Sequence, residues 1–576
     1  MVLSPIDWII LVAFFAISLF IGVYVAKKSG KNTQNFFLSG RDMPWWLLGV
    51  SMVATTFAAD TPGLVAGLVR EDGVAGNWVW WAFLLTGMLT VFFYASLWRK
   101  SNITTDLEFY ELRYSGKSAA FLRGFRALYL GVFFNIVIMA TVCLAAIKIG
   151  HVLFGFSDIQ ILVVACGITL IYSLLGGLKG VLITDFIQFF IAMAGSIGAA
   201  YYVLQMPEIN SMHELVNTPF VADKSSFFPD FSRPEVYIPL LVIPLAVQWW
   251  SVWYPGAEPG GGGYIVQRML AAKDKNHATK ATLFFTVMHY AIRPWPWIIL
   301  GLASLIMYPS LNDLSNAFPN LSESYLKNDL AYAAMLRFLP AGLLGLVVTS
   351  LVAAFMSTLS THLNWGSSYV VNDFYARFIN PKASEKKKVW VGRISIFLMM
   401  FFAAILSRHL NEAKEAFDLL LKIGAGTGLL FILRWFWYRI NPISEIVAML
   451  SSFLIALLFF LHSKLDWNLW QLKNHEELVI TILITTTCWI SASLLTRKTP
   501  PKKITEFEAV VFDSKNKFTH FKPKIISFFA AVIAVYALLF ATGYFLYENY
   551  LFMGISLFIC LIGFAIIFKH WKKVIN

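Results

Sequence analysis

Apolar runs of about 18 residues or more, long enough to cross a bilayer, recur along the whole chain and are separated by short polar stretches. In hydrocarbon every backbone polar group needs an internal partner, so spans are helices or closed barrels. These runs lack the alternation a barrel strand needs. The pattern predicts about fifteen helical spans, near 5–26, 44–69, 77–98, 122–154, 158–178, 180–205, 236–256, 280–308, 335–372, 389–408, 415–438, 442–462, 476–496, 525–546 and 548–570. The fold class is all-α and polytopic. The start, MVLSPIDWII, has no basic segment before its apolar run, and Lys27 and Lys28 follow that run, so the first span reads as a retained helix rather than a cleaved signal.

Two spans carry residues that helices in lipid avoid. The second reads SMVATTFAADTPGLVAG, with Asp60, Thr61, Pro62 and Gly63 at mid-depth. The seventh reads IPLAVQWWSVWYPGAEPGGGGYIVQR, with Gln248 among tryptophans, then Pro255, Gly256, Pro259 and a glycine run. Proline removes a backbone donor and crowds the preceding turn, and glycine loosens what remains, so both helices are expected to be broken. The second span opens a set of five ending near 205, and the seventh opens a set of five ending near 438. Sets of odd number run in opposite senses across a membrane. Interrupted helices at matching positions of inverted halves point to the central site of a secondary transporter. The expected organisation is one transmembrane domain: an extra helix at 5–26, a first repeat at 44–205, a second at 236–438, and further helices at 442–570.

Composition supports the membrane reading: of 576 residues, 58% are hydrophobic and 14% charged, and the mean hydropathy is +0.66. The formal charge of +13 does not signal nucleic acid. Lys27, Lys28, Lys31, Arg41, Arg99, Arg113, Arg123, Arg126, Arg268 and Lys273 fall in alternate loops, as do Lys386, Lys387, the 497–524 loop and Lys572. That asymmetry places these loops in the cytoplasm, the N-terminus outside and the C-terminus inside a plasma or inner membrane. Cys143, Cys166, Cys488 and Cys560 lack metal or redox spacing and read as buried thiols. No nucleophile elbow, HExxH or P-loop is present, and PGGGG lacks the following Lys-Ser/Thr, so no enzyme is expected.

Residues 351–364, LVAAFMSTLSTHLN, place Ala354, Ser357 and Thr358 at i, i+3 and i+4, on one helix face. Such hydroxyls bond back to the preceding turn or join helices. They equally suit a small hard cation, which needs several oxygen ligands. Unwound backbone near Ala54 and Phe57 frees carbonyls for the same ion. Asp185, in LLGGLKGVLITDFIQFF, offers a carboxylate to offset its charge, or an interfacial partner for Lys179. Ser360, Thr361, His362 and Asn364 read as packing contacts or the end of the span.

The blocks FFLSGRDMPWWLLGVSMVAT, LLGGLKGVLITDFIQFFIAMAG, GGGYIVQRMLAAKD and PAGLLGLVVTSLVAAFMSTLSTHLN resemble, in order, those of the sodium:solute symporter family. The likeness runs from about residue 5 to residue 460. It implies a leucine-transporter-like core of five plus five inverted helices with additional helices at both ends. It also implies a main sodium site from the carbonyls of Ala54, Phe57 and Ala354 and the hydroxyls of Ser357 and Thr358. Asp185 lies close by, at a position that binds a further sodium in some members.

The solute side departs from the family's sugar cotransporters. Thr61 stands where those have a glutamine, Trp80 where they have a carboxylate, Tyr290 near a lysine position and Gly424 near a glutamine position. The candidate solute contacts are Thr56, Asp60, Thr61, Trp78, Trp80, Gln248, Trp249, Trp253, Tyr290 and Arg293. Aromatic faces with a few polar groups suit a sugar or polyol, and Arg293 suits a carboxylate. The expected function is sodium-coupled import of a small polar organic solute, sugar-derived, by alternating access. A carboxylate solute is the alternative, and a transporter-like sensor a lesser one. Sodium, the solute and membrane lipid are the expected partners, with no other cofactor and no nucleic acid.

Overall fold

Helix α1 spans Pro5–Ser29, and a broken pair follows, α2 at Trp45–Thr55 and α3 at Thr61–Asp72. Then come α4 (Val74–Ser101), α5 (Lys117–Phe154) and α6 (Asp158–Leu204), the last interrupted at Gly177. A second broken pair comprises α7, over 234–251, and α8, Gly263–Ala271. After it lie α9 (Lys275–Met307), α10 (Leu343–Ile379) and α11 (Glu385–Ser407). A third broken pair, α12 (Ala413–Gly424) and α13 (Gly428–Leu433), precedes α14 (Pro442–Lys464), α15 (Asn474–Leu495), α16 (Phe521–Leu546) and α17 (Tyr550–Ile575). This computed structural model describes residues 3–29, 33–254, 256–410, 412–465, 469–512 and 520–575. Lys31, Pro255 and part of the basic loop, 513–519, lie outside the described residues.

Ten helices among the described residues are long and apolar enough to cross a bilayer. The predicted count is larger because each of the three broken spans supplies two short halves, neither of which suffices alone, and because the apolar stretches Pro5–Ile21 and Asp158–Ile171 are shorter than that length among the described residues. The outward faces of α1 and α17 carry Ile9, Phe20, Leu551 and Phe558 to solvent-exposed positions, the pattern of a lipid-facing surface. Polar residues turn inward instead. Arg113, Arg126 and Arg268, expected in cytoplasmic loops, are buried among helices. Arg113 donates to the Arg434 carbonyl, Arg126 pairs with Glu445, and Arg268 reaches the centre of the bundle.

The break between α2 and α3 follows from Pro62, which cannot donate a backbone hydrogen bond. Its neighbour Thr61 covers part of the loss, its N–H donating to the Ala58 carbonyl at 3.1 Å, and its hydroxyl accepts from the Ala58 N–H at 3.2 Å. The break between α7 and α8 depends on Gly260 and Gly261, whose φ of 78° and 84° suit residues without a Cβ. The interruption at 425–427 is not predicted from hydropathy, because LLLKIGAGTGLL holds no proline and few polar residues. It pairs with the α7–α8 break: Trp253 N–H donates to the Gly424 carbonyl at 3.0 Å, and Gly426 N–H to the Ser251 carbonyl at 2.8 Å. A Cβ on Gly424 would overlap the Trp253 carbonyl. Gly424→Ala is therefore expected to destabilise the protein by about 1–3 kcal/mol, read as a lower unfolding midpoint in detergent. An unchanged midpoint would show that the two breaks are free to move apart.

Two contacts set α10 against the rest. It packs along α6 and along α1. Its first turn is also capped from α1, where the Asp7 carboxylate accepts the N–H groups of Gly342 at 2.7 Å and Gly345 at 2.8 Å. A carboxylate at a helix N-terminus satisfies orphan donors and opposes the helix dipole. The first span thus anchors the helix that carries the hydroxyl face.

Candidate functional site

Where α2 ends, four helices bring polar groups to one buried point. Asp185 of α6 accepts from Ser357 Oγ of α10 at 2.6 Å on one oxygen and from Ser51 Oγ of α2 on the other. Thr358 Oγ1, one residue on, donates to the Thr55 carbonyl at 2.9 Å. The backbone carbonyl of Phe57, beyond the helix end, accepts no backbone hydrogen bond among the described residues. Ala54, Phe57, Ala354, Ser357, Thr358 and Asp185 are all buried here. A hydroxyl has one hydrogen and two lone pairs. Ser357 and Thr358 use their hydrogens on Asp185 and the Thr55 carbonyl, which leaves their lone pairs for a cation.

Hydropathy gave no sign of one member of this cluster. Arg268 of α8 is fully buried, with Nη2 3.5 Å from Asp185 Oδ2. Its Nε donates to Ser51 Oγ at 3.1 Å, and its Nη2 to Thr55 Oγ1 at 3.1 Å and Thr361 Oγ1 at 2.7 Å. Asp185 is thus paired with Arg268 rather than with Lys179. Thr361 belongs to the cluster rather than to helix packing. The helical period carried one turn further, from 354 through 357 and 358 to 361, points to Thr361; counting back from Ala54 or Thr55 points to Ser51. Nothing in one sequence singles out Arg268 from the other basic residues. Ser360 donates back to the Ser357 carbonyl, and Asn364 accepts from Gln267, both packing roles. Among the described residues no three of His, Cys, Asp and Glu gather to hold a metal. The donor set is one of hydroxyls, carbonyls and one carboxylate, which suits a hard cation.

Beside the cluster lies a cavity of about 130 Å³. Thr55 and Thr358 line it as well, so its wall and the cluster share residues. Of the expected solute contacts, Thr56, Asp60, Thr61, Trp80, Tyr290 and Arg293 line it. On one side Arg293 donates Nη1 to Thr56 Oγ1 at 3.0 Å and to the Val53 carbonyl at 3.2 Å, while its buried Nε has no partner. His289 Nδ1 lies 3.1 Å from Thr56 Oγ1. Asp60 at the break accepts from Thr141 Oγ1 at 3.1 Å. Trp80 stacks on Tyr290 with centroids 5.9 Å apart, and Phe83 stacks on Tyr254 at 5.8 Å.

Four expected contacts lie elsewhere. Trp78 donates to the Phe227 carbonyl and packs on Tyr536 of α16. Gln248 donates to the Val79 carbonyl at 2.6 Å and faces a separate outer cavity. The Trp249 carbonyl accepts from Thr86, and Trp253 packs on Phe134. None of these four lines the cavity, although Trp80, two residues from Trp78, and Tyr254, next to Trp253, both do. His289, Thr141 and His362 line it as well, beyond the expected solute contacts. His289 and Arg293 stand at i and i+4, which is the signal that links them.

The sodium:solute symporter family model matches residues 36–451, most of the chain and all three breaks. The chain belongs to the sodium:solute symporter family. The symporter is 26% identical to the sodium/glucose cotransporter of Vibrio parahaemolyticus, over 79% of this chain and 85% of that one. It is 25% identical to the sodium/sialic acid symporter SiaT of Proteus mirabilis, over 85% and 96%. With human sodium/myo-inositol cotransporter 2 the identity is 27%, over 79% and 70%. A solved Na+-coupled sialic acid symporter, described as substrate-bound and outward-open, superposes with a TM-score of 0.65 at 20% identity, covering 86% of this chain and 99% of that one. That likeness shows the fold, the leucine-transporter-like inverted repeat. The symporter is a multi-pass membrane protein that couples solute movement to sodium, and its family consists of transporters rather than enzymes.

Proposed function

We propose that the carbonyls of Ala54, Phe57 and Ala354 and the hydroxyls of Ser357 and Thr358 bind the coupling sodium, with Asp185 behind them, and that the adjacent cavity binds the solute. The observation that carries this reading is the sharing of Thr55 and Thr358 between the oxygen cluster and the cavity wall. An ion that pins Thr358 of α10 to the end of α2 also fixes two residues of the solute's wall. Sodium thereby favours the conformation that admits solute, and the differential affinity between states supplies the coupling. The halves at 44–205 and 236–438 then move against each other to expose both ligands to the cytoplasm. The N-terminus is outside and the C-terminus inside, supported by the loop charges. Each sodium entering down 100 mV contributes about 2.3 kcal/mol.

The solute is a small polar organic molecule bearing an acid group, a sugar acid or another carboxylate such as an amino acid. The partnerless Nε of buried Arg293 supports the acid, and the stacked Trp80 and Tyr290 support a compact ring. Proteoliposomes with an inward sodium gradient test the function: uptake that collapses when potassium replaces sodium is expected, and sodium-independent uptake would overturn it. Arg293→Gln is expected to weaken an acidic solute by about 1.5–3 kcal/mol, tenfold or more, in competition assays. If the variant carries a neutral sugar normally and no acid competes with the wild type, the assignment of Arg293 is wrong.

A further inference from the structure

The solute cavity holds two opposite charges that do not neutralise one another. Arg293 is buried, and its hydrogen bonds go to the Val53 carbonyl and the Thr56 hydroxyl, not to a carboxylate. Its Nε is buried without a partner. Asp60 accepts from the Thr141 hydroxyl and from the hydroxyl and N–H of Thr61, all neutral donors, and has no cation within ion-pair distance among the described residues. Two other buried cations, Lys148 and Arg268, are engaged elsewhere. Lys148 shares a small neighbouring cavity with Asp60 but grips both oxygens of Asp329, at 2.8 and 2.7 Å. Arg268 is committed to Asp185. The other ionisable side chains of the wall are His289, His362 and the tyrosines Tyr254, Tyr264 and Tyr290. His289 faces the Thr56 hydroxyl, and His362 faces the Asn135 side chain.

An unpaired charge in a low-dielectric cavity is unfavourable, and a ligand that supplies both missing partners removes two such penalties at once. A neutral sugar removes neither. A plain carboxylate removes one and sets a second negative charge in the cavity with Asp60. We propose that the solute is a zwitterion, with its carboxylate on Arg293 and its protonated amine on Asp60, and with the aromatic pairs flanking the body between them. The chemical class is an amino acid or an amino sugar acid. This deepens the reading that the cavity holds the solute, and rests on it.

The test is sodium-dependent thermal stabilisation of the purified full-length protein by a charge-sorted panel. The zwitterions are L-serine, L-glutamine, L-proline and muramic acid; the anions D-gluconate and N-acetylneuraminate; the neutral probes D-galactose and myo-inositol; the cation D-glucosamine. At least one zwitterion is expected to bind tenfold more tightly than every other class. Asp60→Asn is expected to weaken that zwitterion at least tenfold while leaving the anions unchanged or tighter. Arg293→Gln is expected to weaken the zwitterion while sparing D-glucosamine. Stabilisation by sodium alone, retained in both variants, shows that they fold. The proposal is overturned if no zwitterion outbinds the other classes, or if Asp60→Asn lowers sodium affinity and leaves solute affinity intact, which would make Asp60 an ion ligand. Sodium-linked binding of a neutral or anionic probe in those cases leaves the cavity reading standing. Loss of every sodium-linked response in the wild type would overturn that reading instead.

Discussion

Ser357→Ala together with Thr358→Ala is expected to abolish sodium-stimulated uptake while the protein still reaches the membrane. The two hydroxyls belong to consecutive residues of α10 and are held by Asp185 and the Thr55 carbonyl. Losing a hydrogen-bonding oxygen from a buried site costs about 1–3 kcal/mol, so the pair amounts to about 2–6 kcal/mol, roughly thirtyfold or more in sodium affinity. Single substitutions are expected to lower affinity by about fivefold or more each, with transport surviving at high sodium. Thermal stabilisation gives a second readout: sodium at a hundred times its dissociation constant adds about 2.7 kcal/mol to the wild type, and the double variant is expected to gain almost none. Unaltered sodium dependence in the double variant would place the ion elsewhere.

Arg268→Met is expected to destabilise the protein by about 3–5 kcal/mol. Both Arg268 and Asp185 are fully buried, so removing the guanidinium strands a carboxylate and also withdraws a donor from Ser51, Thr55 and Thr361. Asp185→Asn combined with Arg268→Met removes both charges and is expected to recover most of the loss, because a well-packed neutral pair replaces a buried ion pair at little cost. The double-mutant cycle then gives a coupling energy of about 1–3 kcal/mol. Sodium supplies a cation beside the stranded Asp185, so it is expected to stabilise Arg268→Met more than the wild type. Additive effects in the cycle would show that the 3.5 Å approach carries no energy. Because Arg268 lies on α8, below the second break, the pair also ties that half-helix to α2, α6 and α10.

Much of this architecture is legible along the chain because a bilayer leaves so few choices. Apolar runs of bilayer length must be helices, and proline and glycine in the second and seventh runs must interrupt them. The face of Ala354, Ser357 and Thr358 follows from the helical period alone. Those features depend on residues close together in the chain. Contacts between distant segments have no such local signature. The pairing of Arg268 with Asp185 joins residues 83 positions apart, a difference of 268 and 185, and a buried arginine looks like a loop arginine until its neighbours are known. The break at 425–427 arises because the Gly424 backbone pairs with Trp253, a demand made by another helix rather than by local composition. Which aromatic residues face the cavity is decided the same way: Trp80 and Trp78 lie two residues apart, yet one stacks on Tyr290 at the cavity wall and the other packs on Tyr536. The chain by itself determined the class, the first two broken helices and the hydroxyl face. Tertiary packing decided which charges are paired, which remain open in the cavity, and which residues the ion cluster and the solute wall hold in common.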